Sequence, residues 1–201
     1  MRVGLLGGTF NPPHLGHLVC AQEALVELGL DRVLFVPVRE PPHKEVEAEP
    51  GLEHRVAMCA AAVAGEPRFG VSRVDADRPG RSYTADTLRA LAGGGDELWF
   101  IVGGDMAMSL PAWREPEVVL SLARLAVAER EGVRLDDVVE RLAAALPGAA
   151  ARVDFFAMPR LDISSSLVRR RVREGLPLRY LVPDAVVAYI ARERLYRDGG
   201  Q

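Results

Sequence analysis

The sequence contains almost no lysine: 24 of its 25 basic residues are arginine, and Lys44 is the exception. It also contains only two cysteines, Cys20 and Cys59. Both cysteines lie in apolar segments with a helical pattern, which argues against a disulfide-stabilised fold. The single lysine either has a specific role or is a solitary surface residue.

Long apolar runs are absent as well. No stretch approaches the roughly 18 residues of a membrane span, and the first eight residues, MRVGLLGG, lead into glycine rather than the apolar core of a signal peptide. Hydrophobic residues form 49% and charged residues 26% of the 201 positions, which is typical of a folded globular protein. We therefore expect a cytoplasmic protein of one domain, residues 1–201, without a membrane partner.

The charge is small in total but uneven along the chain. The formal net charge is −3, and residues 151–201 hold ten Arg against six Asp and Glu, a local +4 that leaves −7 for residues 1–150. This asymmetry indicates either an anionic partner or a solvated arginine-rich helix. The acidic total and the 6% aromatic content weigh against a nucleic-acid partner. A homo-oligomer is left open.

Strand and helix patterns alternate along the chain, and residues 160–201 are expected to form a C-terminal helical part. Short connections between alternating elements predict an α/β, Rossmann-like, doubly wound parallel sheet with helices on both faces. Ligands of such sheets bind outside the carboxyl ends of the strands. The predicted strands are 2–7, 32–38, 69–74, 98–102, 124–129 and 153–157, and the predicted helices are 14–29, 52–64, 82–92, 164–174 and 183–195.

The first motif, GGTFNPPHLGH at residues 7–17, connects a predicted strand to a predicted helix. Glycines allow a ligand close to the backbone, and a helix start offers N–H groups and a positive dipole end. His14 and His17 are three residues apart and share one helix face, and Gly16 leaves space for a ligand. Two imidazole donors there suit phosphate oxygens and the charge of phosphoryl transfer. A zinc site would need further ligands at suitable spacing, which are not found.

The second motif, ISSSLVR at residues 163–169, opens a predicted helix with three serines. Serine oxygens cap helices, and the helix start can bind an anion. Arg169 lies four residues after Ser165 and can turn toward the same anion. The alternative is a simple serine cap. Ser82 is a candidate cap for the helix at 82–92.

Together these motifs resemble the nucleotidyltransferase α/β superfamily, and more closely the bacterial nicotinate-nucleotide adenylyltransferase family. The resemblance extends over almost the whole chain. Two positions depart from the family pattern, Asn11 where Asp is usual and Ser166 where Thr is frequent, and both retain a hydrogen-bonding group. Further matching strings are PPHK at 41–44, RSYTADTL at 81–88, VGGDM at 102–106, LPAW at 110–113 and RYLVP at 179–183.

The resemblance implies transfer of AMP from ATP to nicotinate mononucleotide, giving deamido-NAD and pyrophosphate in NAD biosynthesis. It implies Mg²⁺ carried with ATP and no dedicated metal site on the protein. The implied catalytic residues are His14, His17, Lys44 and Arg169. The implied ATP-binding residues are Gly8, Thr9, Phe10, His14, His17, Gly104, Asp105, Ser164, Ser165 and Arg169. The implied residues for the nicotinate nucleotide are Thr9, Phe10, Lys44, Tyr83, Thr84 and Trp113.

Several alternatives stay open at this point. Asp105 could cap the helix that follows it, and Trp113 could be a core residue. The acceptor could be nicotinamide mononucleotide or a pantetheine phosphate, because the first motif does not distinguish them. A nucleotide-binding regulator without turnover is a hypothesis from a different class, against which the intact His14, His17, Lys44 and Arg169 argue.

Overall fold

The computed structural model describes residues 1–41, 50–129 and 134–197. Strands and helices alternate through these ranges, as the sequence predicts. The strands are β1 (Arg2–Gly8), β2 (Arg32–Pro37), β3 (Phe69–Val71), β4 (Glu97–Gly103), β5 (Ala123–Ala128) and β6 (Val153–Phe156). The helices are α1 (Leu15–Glu27), α2 (Leu52–Val63), α3 (Thr84–Leu91), α4 (Gly104–Ser109), α5 (Pro116–Leu122), α6 (Leu135–Ala145), α7 (Ser165–Arg173) and α8 (Asp184–Arg192).

The strands form one parallel sheet in the order β3-β2-β1-β4-β5-β6. The chain builds outward from β1 in one direction and then, from β4, in the other. This is the doubly wound arrangement, so the prediction of a Rossmann-like α/β fold is confirmed. The order reverses between β1 and β4, and the carboxyl ends of these two strands are where such sheets bind ligands.

The sheet is buried on both faces because successive side chains of a strand point to opposite sides. Leu5 of β1 belongs to an apolar cluster with α3, α5 and α6, whereas its neighbour Leu6 belongs to a cluster with α1. Phe100 and Ile101 of β4 divide in the same way. The near-continuous apolar character of the strands follows from this two-sided burial.

A third apolar cluster joins the C-terminal helices to α2. It includes Met58 of α2, Val168 of α7, and Val186 and Ile190 of α8. Cys59, the next residue of α2, packs instead in the cluster that covers the sheet. Helix α2 therefore lies between the sheet and the C-terminal helices, and it connects the two.

Three helices of the structure were not predicted. Helices α4 and α5 have six and seven residues and begin at Gly104 and Pro116, so they are too short for a periodic pattern. Helix α6 did carry a signal, because Val138 and Leu142 are buried one turn apart after two acidic residues of the first turn.

The suggested serine cap of α3 is wrong. Tyr83 is the N-cap residue of α3, and the Ser82 hydroxyl instead accepts a hydrogen bond from the Arg39 backbone N–H at 2.9 Å. Cys20 and Cys59 are buried thiols, and burial raises the pKa of Cys59. Among the helices of the described ranges, none is long and apolar enough to cross a membrane.

Candidate active site

The first motif forms a tight turn between β1 and α1. The chain reverses at Phe10, which has a φ of 50°, and the ring of Phe10 is 2% exposed. This ring lies 5.5 Å from Phe35 and 5.0 Å from His17, measured between ring centroids. A Cβ atom on Gly8 would lie 3.0 Å from the Phe10 ring. Gly8 is therefore needed to let the aromatic ring fold back beneath the loop.

The two histidines lie in contact at the start of α1. His14 is the N-cap residue, and its ring stacks on that of His17 with 3.7 Å between centroids. The His14 backbone N–H donates to Nδ1 of His17 at 3.1 Å. Because Nδ1 accepts here, the neutral His17 ring carries its proton on Nε2 and can donate from that atom.

The space left by the missing side chain of Gly16 is occupied by the imidazole of His14. A Cβ atom at residue 16 would lie 3.1 Å from Nδ1 and 3.2 Å from Cε1 of His14, whose ring is buried. The sequence predicted that the missing side chain leaves space for a ligand, whereas the structure uses that space for the imidazole of His14. The helix start is also partly occupied, since the Leu15 N–H donates to the Leu181 carbonyl at 3.0 Å.

The second motif reaches the first across more than 150 residues of sequence. The Ser165 hydroxyl donates to the Pro12 carbonyl at 2.8 Å. The Arg169 guanidinium donates to the Asn11 carbonyl at 2.8 Å and to the Ser166 hydroxyl at 3.3 Å. The two motifs singled out in the sequence thus form one continuous structure above the end of β1.

Ser164 is the N-cap residue of α7, as a serine in this position suggests. Its hydroxyl oxygen accepts the Leu167 N–H at 3.1 Å. Arg170 and Arg173 are exposed, and Arg171 donates to the Pro177 carbonyl at 2.8 Å. Only Arg169, of the arginines on this helix, donates to the first motif in the described hydrogen bonds.

Gly104 and Asp105 follow β4, the strand next to β1 at the point where the strand order reverses. Gly104 is buried and Asp105 is exposed in the first turn of α4. The N-cap residue of α4 is Gly103, so Asp105 is not the cap of this helix. Its carboxylate stands at the edge of the sheet where a ligand is expected.

Tyr83, Thr84 and Trp113 form a second group. Tyr83 is the N-cap and Thr84 the first residue of α3, and both are half-buried. The half-buried indole of Trp113 packs edge-on against Phe100 with 6.0 Å between centroids. The Arg114 guanidinium lies 4.7 Å from the Tyr83 ring centroid, which brings the two segments together. Trp113 thus packs on the core and keeps an exposed part.

Lys44 lies outside the described residues, as do residues 42–49 and 130–133. The chain just before residue 42 is fixed beside α3, because the Ser82 N–H donates to the Glu40 carbonyl at 2.9 Å. Glu40, near the last described residue before this gap, therefore lies beside the start of α3.

Two residues at the site were not singled out in the sequence. Arg55 is 1% exposed and donates to the Thr9 carbonyl at 2.9 Å. Its signal was a charge on the apolar face of α2, one turn before the buried Cys59. Tyr196 donates its hydroxyl to Oδ1 of Asn11 at 2.7 Å, with both residues buried. No local pattern distinguishes this tyrosine.

Among the described residues, carboxylates do not form a metal-binding cluster at the site. In residues 1–41, 50–129 and 134–197, the structure brings together no group of three His, Cys, Asp or Glu side chains that could hold a metal ion. Asp75 is buried close to the first turn of α3, where it accepts hydrogen bonds from Thr87 and Arg78. Burial raises the pKa of Asp75, and these two donors oppose the effect.

Comparison with known proteins identifies the family of the chain. Residues 5–171 match the cytidylyltransferase-like family. A probable nicotinate-nucleotide adenylyltransferase of Roseiflexus sp. (strain RS-1) is 47% identical over 196 residues, which cover 97% of this chain and 98% of that protein. One from Geobacter sulfurreducens is 39% identical, and the match covers 100% of both chains. The chain belongs to the nicotinate-nucleotide adenylyltransferase family.

Solved structures share the fold of this chain. The Plasmodium falciparum nicotinic acid mononucleotide adenylyltransferase complexed with APC aligns with a TM-score of 0.76 at 16% identity, covering 97% of this chain and 96% of that one. The same protein complexed with NaAD gives a TM-score of 0.75. The family match makes the chain an enzyme of the nucleotidyltransferase class, and the solved structures show the same fold.

Proposed function

We propose that the chain transfers AMP from ATP to nicotinate mononucleotide, which yields deamido-NAD and pyrophosphate. The observation that carries this proposal is the junction of the two motifs, Ser165 on the Pro12 carbonyl and Arg169 on the Asn11 carbonyl. These contacts join the start of α7 to the loop that carries the histidines, which supports the binding of one phosphate chain by both motifs. Family membership supports the choice of donor and acceptor.

The chemistry needs no general base. The 5′-phosphate of the acceptor is ionised at neutral pH, and it attacks the α-phosphorus of ATP in line while pyrophosphate leaves. Catalysis of such a step consists of positioning the reactants and stabilising charge on the phosphoryl oxygens. Cationic and N–H donors are the groups required, and these are what the two motifs supply.

The histidines would act on the α-phosphate. His17 directs Nε2–H outward because its Nδ1 accepts from the His14 backbone. His14 is held beside it by the stacked rings and by the space at Gly16. Both rings lie at the positive end of α1, where negative charge is favoured. Thr9 and Phe10 would place their backbone against the nucleotides.

The start of α7 would bind the leaving pyrophosphate. The Ser165 hydroxyl proton is directed to Pro12, so Ser165 would act through its backbone N–H. The Ser164 hydroxyl accepts from Leu167 and keeps its own proton for a phosphate oxygen. Arg169 has five N–H donors and can hold the Asn11 carbonyl and a phosphate at once.

The remaining residues would bind the ATP ribose, bind the nicotinate ring and its carboxylate, or neutralise the charge of the phosphates. Asp105, with Gly104, would bind the ATP ribose at the end of β4. The start of α3 at Tyr83 and Thr84 would receive the nicotinate carboxylate, and Trp113 would cover the ring. Lys44 would add a positive charge over the phosphates. Mg²⁺ would arrive with ATP and neutralise phosphate charge.

Pyrophosphate release tests this assignment. The purified chain is incubated with Mg·ATP and, separately, with nicotinate mononucleotide, nicotinamide mononucleotide or pantetheine phosphate. Release chiefly with the nicotinate acceptor is expected. Release chiefly with another acceptor would keep the phosphate site and refute the assignment of Tyr83, Thr84 and Trp113. ATP binding without release from any acceptor would favour the nucleotide-binding regulator.

A further inference from the structure

Arg55 is the most deeply buried charged side chain of the described residues, and it binds two chain segments at once. One terminal nitrogen donates to the Thr9 carbonyl at 2.9 Å and to the Val38 carbonyl at 2.7 Å. The other donates to the Arg39 carbonyl at 3.1 Å. The guanidinium therefore ties the first motif to the end of β2, two segments that α2 packs against.

The bond to Thr9 has a consequence for the next residue. The Thr9–Phe10 peptide is trans, and in a trans peptide the C=O and N–H groups point in opposite directions. With the Thr9 carbonyl drawn toward Arg55, the Phe10 N–H points away from α2. A donor so directed at the end of β1 faces the edge of the sheet where nucleotides bind.

The backbone conformation at Phe10 that accompanies this orientation of the peptide is an unfavourable one. Phe10 has a φ of 50°, a left-handed conformation that is strained for a bulky residue. The Phe10 ring is locked by its packing on Gly8 and Phe35, and the preceding peptide is locked by Arg55. The two constraints together hold the loop in a shape that it would otherwise leave.

We infer that Arg55 is a positioning residue of the nucleotide-binding loop: it fixes the Thr9–Phe10 peptide so that the Phe10 N–H donates to an oxygen of the bound nucleotide. The identity of that nucleotide rests on the proposed function. A lysine at residue 55 keeps the charge but has a single nitrogen, so it cannot bind the Thr9, Val38 and Arg39 carbonyls with the planar spacing of a guanidinium.

The test compares Arg55→Lys and Arg55→Ala with the parent chain. Calorimetry gives the Kd of Mg·ATP, and pyrophosphate release gives kcat and KM. We expect Arg55→Lys to fold with a weaker Kd and a kcat/KM about 100-fold lower, the scale of a small misplacement at a reacting centre. Millimolar methylguanidinium is expected to restore activity of Arg55→Ala about tenfold, because it refills the guanidinium site.

Arg152 offers a matched control. Its guanidinium also donates to a backbone carbonyl, that of Leu120 at 2.9 Å, but it lies toward the amino ends of the strands. Arg152→Ala is expected to leave Kd and kcat/KM within about twofold of the parent and to show no response to methylguanidinium. Loss of stability alone would lower the melting temperature of both arginine variants without this difference.

Defined results overturn the inference. A folded Arg55→Lys chain with Kd and kcat/KM within about threefold of the parent would do so, and this variant decides the matter if Arg55→Ala does not fold. A folded Arg55→Ala chain that methylguanidinium does not reactivate would also overturn it. A parent that releases no pyrophosphate refutes the proposed function instead, while the Kd of Mg·ATP for parent and variants still tests Arg55.

Discussion

At the scale of one residue, the missing Cβ atom of Gly16 determines where the His14 ring can lie. A methyl group there would lie 3.1 Å from Nδ1 of His14, closer than side chains normally approach. We predict that Gly16→Ala displaces the His14 ring and lowers kcat about 10- to 100-fold. The free energy of unfolding should change little, because alanine gains about 1 kcal/mol of helix propensity over glycine and this gain offsets the cost of moving the His14 ring. Steady-state kinetics and urea unfolding measure the two effects.

Gly65→Ala is the control for this change, because a Cβ atom at Gly65 has nothing within 4 Å. Its kcat should equal that of the parent. If Gly16→Ala turns over as fast as the parent, the position of the His14 ring is unimportant for the reaction, and the role given to His14 is wrong.

Asn11 and Tyr196 form the second residue-scale case. The Tyr196 hydroxyl donates to Oδ1 of Asn11 at 2.7 Å in a buried setting. We predict that Tyr196→Phe lowers the free energy of unfolding by about 1–3 kcal/mol, the cost of removing one partner of a buried hydrogen bond. Tyr180→Phe, at a tyrosine that is 75% exposed, should stay within about 0.5 kcal/mol. Equal effects of the two variants in urea unfolding would contradict this account of Tyr196.

At the scale of elements, the sequence predicts what depends on local pattern. Apolar runs locate the strands, and helical spacing and caps locate α1, α2, α7 and α8. Pattern does not locate α4 and α5, which are shorter than the window that periodicity needs. Nor does it show that Ser165 donates to Pro12 or that Tyr196 donates to Asn11. Such contacts depend on packing between segments far apart in the chain, which no local signal reports.

Asp154 connects β4, β5 and β6 near the amino ends of these strands, on the side of the sheet away from the candidate site. Its carboxylate on β6 accepts from the Trp99 indole of β4 at 2.8 Å and from the Arg124 guanidinium of β5 at 2.8 Å. The hydrogen bond from Arg124 lowers the pKa of Asp154 below its ordinary value of 3.8, and the Trp99 bond contributes in the same direction. The ionised carboxylate therefore stabilises the fold above this value, and the stabilisation is lost as the pH falls through the lower pKa of the folded state.

We predict that Asp154→Asn lowers the free energy of unfolding by about 1.5–3 kcal/mol at pH 7, the range for a hydrogen bond to a charged group. The difference from the parent should shrink as the pH falls below 3.8. Urea unfolding at several pH values measures it. Asp162→Asn removes an exposed carboxylate paired with Arg160 and should change stability little at any pH. A loss in Asp154→Asn that is independent of pH would contradict the electrostatic account.

At the scale of the whole molecule, the site joins segments that are far apart in the sequence: the loop after β1, helix α2 and helix α7. Arg55 of α2 and Arg169 of α7 both donate hydrogen bonds to backbone carbonyls of the loop after β1. Met58 and Cys59 face different apolar clusters from adjacent positions of α2. Residues 160–197 are thus bound to the sheet through α2 and through the loop after β1, and we expect both parts to unfold together.

Ile190 of α8 provides the test of that coupling, since it is 3% exposed in the C-terminal cluster. We predict that Ile190→Ala lowers the free energy of unfolding by about 2–5 kcal/mol. The loss should appear equally in far-UV circular dichroism, which follows all helices, and in fluorescence, which follows Trp99 and Trp113 of the α/β layers. Val26→Ala, at a side chain that is 62% exposed on α1, should leave both transitions in place. If helical signal is lost before the fluorescence changes, the C-terminal helices unfold independently. Nucleotide affinity would then disappear with the first transition, because Arg169 and Tyr196 release the loop while the sheet remains folded.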